Sequence, residues 1–303
     1  PSLVGSEMCI RDSDSMAANE WLAIASLNLS STSSSSSGQG RKGRVFLSAP
    51  VNWKNLPAQT CENISWDSKA LAVKMQQETR IGALIIDSKP IQNASRETVS
   101  DIICEAARKD GLSMFDWNES VHRLQQRVAQ VAEWHPELEI PDLSTEHLLT
   151  TARAWLPFYL EEGGKMKTSV TELKKLNLCE ILWNILPYDL QQEIDRLAPT
   201  HIRVPSGNNI RIDYRLGAEA PVLSVRLQEC FGMTSTPTVD AGRQPLLLEL
   251  LSPGFKPVQL TQDLASFWQG TYFEVRKELK RRYPKHFWPE NPLECQAVKG
   301  VKR

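Results

Sequence analysis

Residues 82–107, GALIIDSKPIQNASRETVSDIICEAA, contain the change of periodicity that decides the fold. The opening residues GALIID form a short apolar run of the kind found in β-strands. From Arg96 onward, apolar residues recur at helical spacing, namely Val99, Ile102, Ile103 and Ala106. We therefore expect strands before this boundary and helices after it.

Short alternating runs upstream of the boundary predict further strands. Residues 20–29 and 43–49 flank a Ser- and Gly-rich tract and should form an antiparallel pair joined by a long loop. Residues 63–66 and 70–79 should form a hairpin around an Asp-Ser-Lys turn. Five short strands predict a small β domain over residues 18–92, for which an OB-like fold is one candidate among small β folds.

Residues 1–13, PSLVGSEMCIRDS, show no periodicity and no link to the pattern that follows. The segment resembles a translated sequencing-adaptor remnant, so we expect the natural sequence to enter near Asp14 and to continue upstream. A native N-terminal tail is the alternative. Both interpretations predict disorder and give the segment no part in the fold.

Residues 96–198 carry mainly helical patterns. We expect the first helix to stop at Gly111 and a later one to begin at Ser144. The motif SVTE at 169–172 is a capping box, which predicts a helix start. Pro187 should separate two further short helices.

From residue 199 to residue 303 the pattern is mixed. Two short runs flank the Gly- and Asn-rich turn 205–209 and predict a hairpin. Residues 222–227 and 245–251 have the composition of strands, and Thr261 should cap a long final helix. The predicted fold class is α+β, with an OB-like β domain, a helical segment and a mixed α+β C-terminal extension.

Composition limits the function classes. The chain has 303 residues, of which 41% are hydrophobic and 23% charged, as expected for about two globular domains. The net charge is −1, with a basic excess only in the second half. No run of about 18 apolar residues exists, so no membrane span is predicted. The six cysteines lie far apart without a CxxC pair, which disfavours zinc or disulfide scaffolds and fits a reducing cytoplasm.

Motifs for catalysis, cofactors and metals are missing from the sequence. The nearest match to a phosphate-binding loop is GGKM at 163–166, which lacks the upstream Gly and has Met where Ser or Thr binds magnesium. No GxSxG, HExxH or dinucleotide fingerprint occurs, and the five histidines are isolated in sequence. An independent hydrolase is therefore the function that the sequence supports least.

The strongest functional signal lies in residues 274–286, which contain six basic residues and only two acidic ones. The aromatic residues that interleave with or flank them are Tyr272, Phe273, Tyr283, Phe287 and Trp288. Cations neutralise phosphates and aromatic rings stack on unpaired bases, so the pattern favours single-stranded nucleic acid. The alternative is a solvated helix face whose aromatic residues anchor it to the core. The candidate contacts are Arg276, Lys280, Arg281 and Lys285. Arg41, Lys42 and Arg44, beside the Ser-rich tract, are further candidates, and the alternative for these three is a solvated loop base that contacts no phosphate.

Four long blocks carry a resemblance to a known family. They are PTHIRVPSGNNIRIDY (199–214), PVLSVRLQECFGM (221–233), LLSPGFKPVQLTQDLASFW (250–268) and EVRKELKRRYPKHFWPENP (274–292). Together they resemble the C-terminal region of bacterial HrpB-type ATP-dependent helicases. Segments 186–201 and 80–91 are similar to the preceding part of these proteins, so the resemblance covers about residues 20–292. The departures are Cys230 for a bulky apolar residue, Lys256 for Arg, and the Ser-rich tract.

The resemblance implies the DEAH-type RNA helicases, which carry two RecA-like lobes, a winged helix, a helical bundle and an OB-like domain. It implies that residues 20–92 are part of the OB-like domain and that 96–303 are the extension. The ATP- and magnesium-binding motifs would lie upstream in the parent helicase, and this fragment would hold no cofactor. We expect a non-catalytic cytoplasmic accessory region that guides RNA and packs against the motor domains. A protein-docking module without RNA contact is the alternative.

The isolated chain is expected neither to bind nor to hydrolyse ATP, because it has no phosphate-cradling loop and no magnesium-binding pair. The measurement is phosphate release by the purified chain with ATP and magnesium. Hydrolysis that disappears when a residue of this chain is substituted would contradict the expectation.

Overall fold

The computed structural model describes residues 16, 18–29, 43–91, 94–215 and 217–300. The leader 1–13 and the candidate residues Arg41 and Lys42 lie outside this range, and only the backbone of Arg44 is described. The chain divides into two compact units between Ile103 and Cys104.

The first unit contains the five expected strands as two antiparallel sheets. The strands are β1 (Leu22–Leu29), β2 (Gly43–Pro50), β3 (Gln59–Asp67), β4 (Ala72–Ile81) and β5 (Leu84–Pro90). β1 pairs with β2, and β3, β4 and β5 form a meander. Within the described part of this unit no strand pairing joins the two sheets. The antiparallel pair and the hairpin are confirmed, whereas the OB-like assignment stays a prediction.

The helices confirm the change of periodicity at Arg96. They are α1 (Arg96–Met114), α2 (Glu119–Trp134), α3 (Thr145–Thr150), α4 (Ala152–Trp155), α5 (Val170–Leu173), α6 (Leu178–Ile185), α7 (Tyr188–Leu197), α8 (Leu264–Gln269) and α9 (Tyr272–Arg282). Among the residues that the structure describes, no helix combines the length and apolar character needed to cross a membrane.

The short strands of the second unit connect these helices. They are β6 (Glu161–Glu162), β7 (Lys165–Met166), β8 (His201–Arg203), β9 (Asn209–Arg211), β10 (Val222–Arg226), β11 (Thr238–Val239), β12 (Gln244–Pro245), β13 (Leu247–Leu251) and β14 (Pro257–Thr261). β8 and β9 form the predicted hairpin. β10 runs parallel to β13, and β14 is antiparallel to β13 at the edge of this sheet.

Two of the predicted helix starts are confirmed by capping contacts. The Ser144 side chain accepts a hydrogen bond from the backbone N–H of His147 at 3.3 Å. Ser169 and Glu172 form the complete capping box at the start of α5. Pro187 separates α6 from α7, as expected.

Gly111 is not a helix stop, so that expectation is wrong. α1 continues past it to Met114. A Cβ on Gly111 would lie 2.2 Å from Cδ2 of Leu149, so the glycine allows a leucine at the end of α3 to approach the helix backbone. The reason for glycine here is close packing, not chain reversal.

Thr261 does not cap a long final helix, and this expectation is also wrong. Thr261 ends β14, and the cap is Asp263, whose Oδ1 accepts a hydrogen bond from the N–H of Ser266 at 2.9 Å. The helix is also interrupted at Gly270, whose φ of −122° and ψ of −87° are not helical. α8 and α9 are therefore separate helices.

A buried ionic contact ties the end of α2 to the loop before β12. His135 Nε2 lies 2.6 Å from Oδ1 of Asp240, and His135 Nδ1 lies 2.7 Å from Oε1 of Glu137. The side chains of His135 and Asp240 are only 7% and 8% exposed. The hydrogen bond to Asp240, followed by that to Glu137, raises the pKa of His135. Two carboxylate acceptors thus favour the doubly protonated imidazolium.

The His135 contact predicts a pH-dependent stability. Because the folded-state pKa is raised, the stabilisation is fully present below the unfolded pKa of about 6.5 and is lost as the pH rises through the folded value. Urea unfolding between pH 5.5 and 9 should show that His135→Asn lowers the free energy of unfolding most at the acid end. The exposed His122→Asn serves as control. A pH-independent destabilisation in His135→Asn would contradict the imidazolium.

Candidate nucleic-acid interface

The candidate interface is built on a cluster of aromatic rings that fixes α9. Tyr272 is fully buried at the start of this helix. Its ring centroid lies 5.2 Å from that of Trp268 in α8, 6.1 Å from Phe267 and 6.4 Å from Phe231. Edge-to-face ring pairs of this kind add to the free energy gained by burial. The cluster therefore sets the direction in which α9 leaves the core.

The chain beyond α9 folds back along the same helix. The hydroxyl of buried Tyr272 donates a hydrogen bond to the carbonyl oxygen of Pro289 at 2.8 Å. Trp288 is 6% exposed, and its indole N–H donates to the carbonyl oxygen of Tyr283 at 3.0 Å. Burial raises the pKa of Tyr272, so its hydroxyl keeps the proton that it donates. These contacts make the helix and the returning tail one structural element.

A short 3₁₀ helix at residues 227–230 holds the tail from the other side. Gln228 donates from Nε2 to the carbonyl oxygen of Phe287 at 2.9 Å. The neighbouring carboxylate of Glu229 is 3% exposed and accepts hydrogen bonds from Ser206, Asn208 and Arg226, at 2.6–2.7 Å. Three donors satisfy the buried charge, so the 3₁₀ helix is fixed to the β8–β9 turn.

Arg276 belongs to this internal network. Its Nε donates to the carbonyl oxygen of Trp288 at 3.1 Å, and its Nη2 lies 3.3 Å from Oε1 of Glu290. The Arg276 side chain is 21% exposed. The helical spacing of Arg276 and Lys280 does not reveal this, because the acceptors lie in the returning tail. Within the described residues, Arg276 therefore differs from Lys280, Arg281 and Lys285 in already having a carboxylate and a carbonyl partner.

The remaining cations form an exposed set, which we call the α9 basic surface and define as Lys277, Lys280, Arg281, Arg282 and Lys285. Within the described ranges none of these five has an ion pair with an acidic residue. The guanidinium of Arg282 lies 6.0 Å from the ring centroid of Tyr283. Lys280, Arg281 and Arg282 occupy the last turn of α9, where the helix dipole favours positive charge.

The aromatic residues divide between packing and exposure. Tyr272 and Trp288 are buried and hydrogen-bonded, so they serve as anchors and not as stacking surfaces. Phe273 is 52% exposed on the first turn of α9 and Tyr283 is half-buried. The segment thus carries both exposed charges and buried aromatic anchors. The anchoring interpretation applies to Tyr272 and Trp288, whereas the nucleic-acid interpretation can apply only to the exposed residues.

Two features bear on the chemistry near this surface, a thiol and the arrangement of metal-binding side chains. Burial raises the pKa of Cys230 to about 12, so this thiol stays protonated. In the part of the chain that the structure describes, no group of three or more His, Cys, Asp or Glu residues is arranged to hold a metal ion. The α9 basic surface itself carries exposed positive charge.

Comparisons with known proteins place this architecture in a family. Residues 155–292 match the HrpB_C family, described as ATP-dependent helicase C-terminal. The chain is 33% identical over 296 residues to ATP-dependent RNA helicase HrpB of Escherichia coli K12, covering 96% of this chain and 35% of that protein. The chain thus spans about a third of the length of this relative.

Two solved structures give the same result. The crystal structure of the E. coli DExH-box NTPase HrpB matches with a TM-score of 0.65 and 33% identity, covering 96% of this chain and 35% of that chain. The crystal structure of the Escherichia coli DEAH/RHA helicase HrpB matches with a TM-score of 0.57 and 32% identity, covering 91% of this chain and 34% of that chain.

The mixed α+β fold and the matched segment are those of the family described as ATP-dependent helicase C-terminal. More particularly, the chain is a C-terminal region of the HrpB type. The resemblance carried by the four sequence blocks is thereby confirmed.

Arg276→Ala should lower the free energy of unfolding by about 1 kcal/mol, because it leaves the Trp288 carbonyl without its donor. Lys277→Ala is the matched control one residue away, where the exposed side chain predicts a change within about 0.5 kcal/mol. The measurement is urea unfolding followed by circular dichroism. Equal stability of the two variants would contradict the structural role of Arg276.

Proposed function

We propose that this chain is a non-catalytic accessory region of an ATP-dependent RNA helicase and guides single-stranded RNA along the α9 basic surface. The observation that carries the proposal is the set of five exposed cations without ion pairs in the described chain, which lie along the second half of α9 and the tail after it, a segment anchored by buried aromatic residues. Cations already paired with carboxylates would have to give up those partners first, whereas these bind phosphate directly.

Backbone contacts suit a guiding role, because they carry no sequence information. Each phosphate neutralised by Lys or Arg releases counterions, so binding is favourable at low salt and falls steeply as salt rises. A fixed helix end also loses little conformational freedom when it binds. Phe273, exposed on the same helix, offers one ring for a base to stack on.

The proposal also assigns a role to the other parts of the chain. Residues 18–92 would be part of an OB-like domain, 96–198 the helical part of the extension and 199–303 its α+β part. Arg41, Lys42 and Arg44 would add RNA contacts beside the Ser-rich tract, and residues 1–13 would be foreign to the natural chain. ATP and magnesium would act in the motor domains of the parent protein, in the cytoplasm.

Exposed apolar side chains favour a second candidate, a docking module that binds protein without RNA. Phe158 is 79% exposed, Tyr188 75% and Phe255 67%. Phe255 also has a φ of +58°, a strained conformation for a large side chain. Packing against the motor domains would bury such side chains, and binding of this kind changes little with salt.

The triple variant Lys280→Glu, Arg281→Glu, Lys285→Glu should bind a 12-nucleotide polyuridylate RNA much more weakly than the unchanged chain. For every phosphate that the variant no longer neutralises, the plot of log K against log salt should become less steep by about one unit of slope. The measurement is fluorescence anisotropy of labelled RNA between 50 and 300 mM salt, in about four steps. The fold should persist, because exposed charges contribute little to stability.

The matched control reverses three other exposed lysines that have no ion pair in the described chain, Lys174→Glu, Lys175→Glu and Lys256→Glu. This control has the same net charge as the triple variant, so it separates a local contact from a general charge effect. Equal weakening by both variants, or unchanged binding by a folded triple variant, would overturn the proposal. The docking module would then be the better account.

A further inference from the structure

A cavity of about 310 Å³ lies in the second unit, well away in sequence from α9. Residues from α2, α6 and the β8–β9 hairpin line it. Three arginines and a histidine are among the lining residues, namely Arg123, Arg127, Arg211 and His201, and none of the lining residues is Asp or Glu. The wall is therefore basic, and its volume is at the lower end of the range for small-molecule sites.

One wall of the cavity is an aromatic ring in contact with an arginine that also lines the cavity. Trp183 of α6 is half-buried and lines the cavity. The guanidinium of Arg127 lies 5.3 Å from the centroid of this ring. Arg127 is itself fixed, because its Nε donates to the carbonyl oxygen of Ala198 at 2.6 Å and its Nη2 donates to Asp195. Arg127 thus has a fixed position against one face of the ring, and a stacked partner would have to use the other face.

The charges of the wall are not all balanced. Arg123 pairs with Glu119, and Arg127 pairs with Asp195. Arg211 is exposed and has no acidic partner within the described residues, and His201 faces it across the β8–β9 pairing. An anion at the cavity would therefore meet Arg211 without displacing a carboxylate.

We infer that this cavity takes one unpaired nucleotide of a single-stranded RNA, with the base against Trp183 and the phosphate at Arg211 and His201. An aromatic ring beside unbalanced arginine charge matches a base joined to a phosphate. Leu124 and Ile212 complete the apolar part of the wall, which a peptide of acidic side chains alone would leave unfilled. The inference rests on the proposed RNA-guiding function and adds a second contact site to it.

The test follows the indole N–H signals of the intact chain by NMR. The chain has nine tryptophans, and Trp183→Phe identifies the signal of Trp183 by its disappearance. The probes are a 12-residue polyuridylate RNA, ATP with magnesium, and an acidic peptide. The RNA should shift the Trp183 signal, whereas the acidic peptide, which has no base to stack on the ring, should not.

Affinity measurements complete the test. Arg211→Glu should weaken RNA binding by roughly fivefold or more, because a phosphate contact becomes a repulsion. Arg203→Glu, an exposed arginine on the same hairpin that does not line the cavity, is the matched control. Arg203→Glu should reproduce only the smaller effect of the altered net charge.

The outcomes separate this inference from the proposed function. If RNA binds and the α9 triple variant weakens it, but the Trp183 signal stays fixed and Arg211→Glu behaves like Arg203→Glu, the cavity inference fails alone. If the wild-type chain does not bind RNA, both fail. A Trp183 shift with ATP or the acidic peptide but not with RNA would overturn the inferred ligand.

Discussion

Tyr272 is the residue on which the C-terminal part of the structure depends. Its buried ring contacts Phe231, Phe267 and Trp268, and its hydroxyl donates to the carbonyl oxygen of Pro289. One side chain therefore joins the sheet region, α8, α9 and the returning tail. Since large aromatic side chains supply much of the burial energy of a core, this contact keeps the basic segment ordered without using its charges.

The returning tail also determines which cations are free. Arg276 uses its hydrogen-bonding capacity on Trp288 and Glu290, whereas Lys280, Arg281 and Lys285 stay exposed. The same division recurs at the cavity, where Arg127 is fixed by Ala198 and Asp195 beside the exposed Arg211. In both places one arginine is held by hydrogen bonds to the chain, and another cation of the same region stays exposed.

Features that depend on neighbours in sequence were predictable. Helical spacing and caps predicted α2, α3 and α5, and the Gly- and Asn-rich turn predicted the β8–β9 hairpin. Features that depend on distant partners were not predictable. Gly111 looked like a stop because the sequence does not show Leu149 packing on it, and Arg276 looked exposed because its acceptor lies twelve residues later. The cavity escaped prediction because three separate segments form it.

Crosslinking can show whether RNA lies along the end of α9, as proposed. A polyuridylate RNA containing 4-thiouridine is bound to the chain, irradiated with long-wavelength ultraviolet light and digested, and the crosslinked peptides are identified by mass spectrometry. Crosslinks are expected within residues 272–288, and these crosslinks should disappear at high salt. Efficient crosslinking confined to other parts of the chain would contradict the proposal.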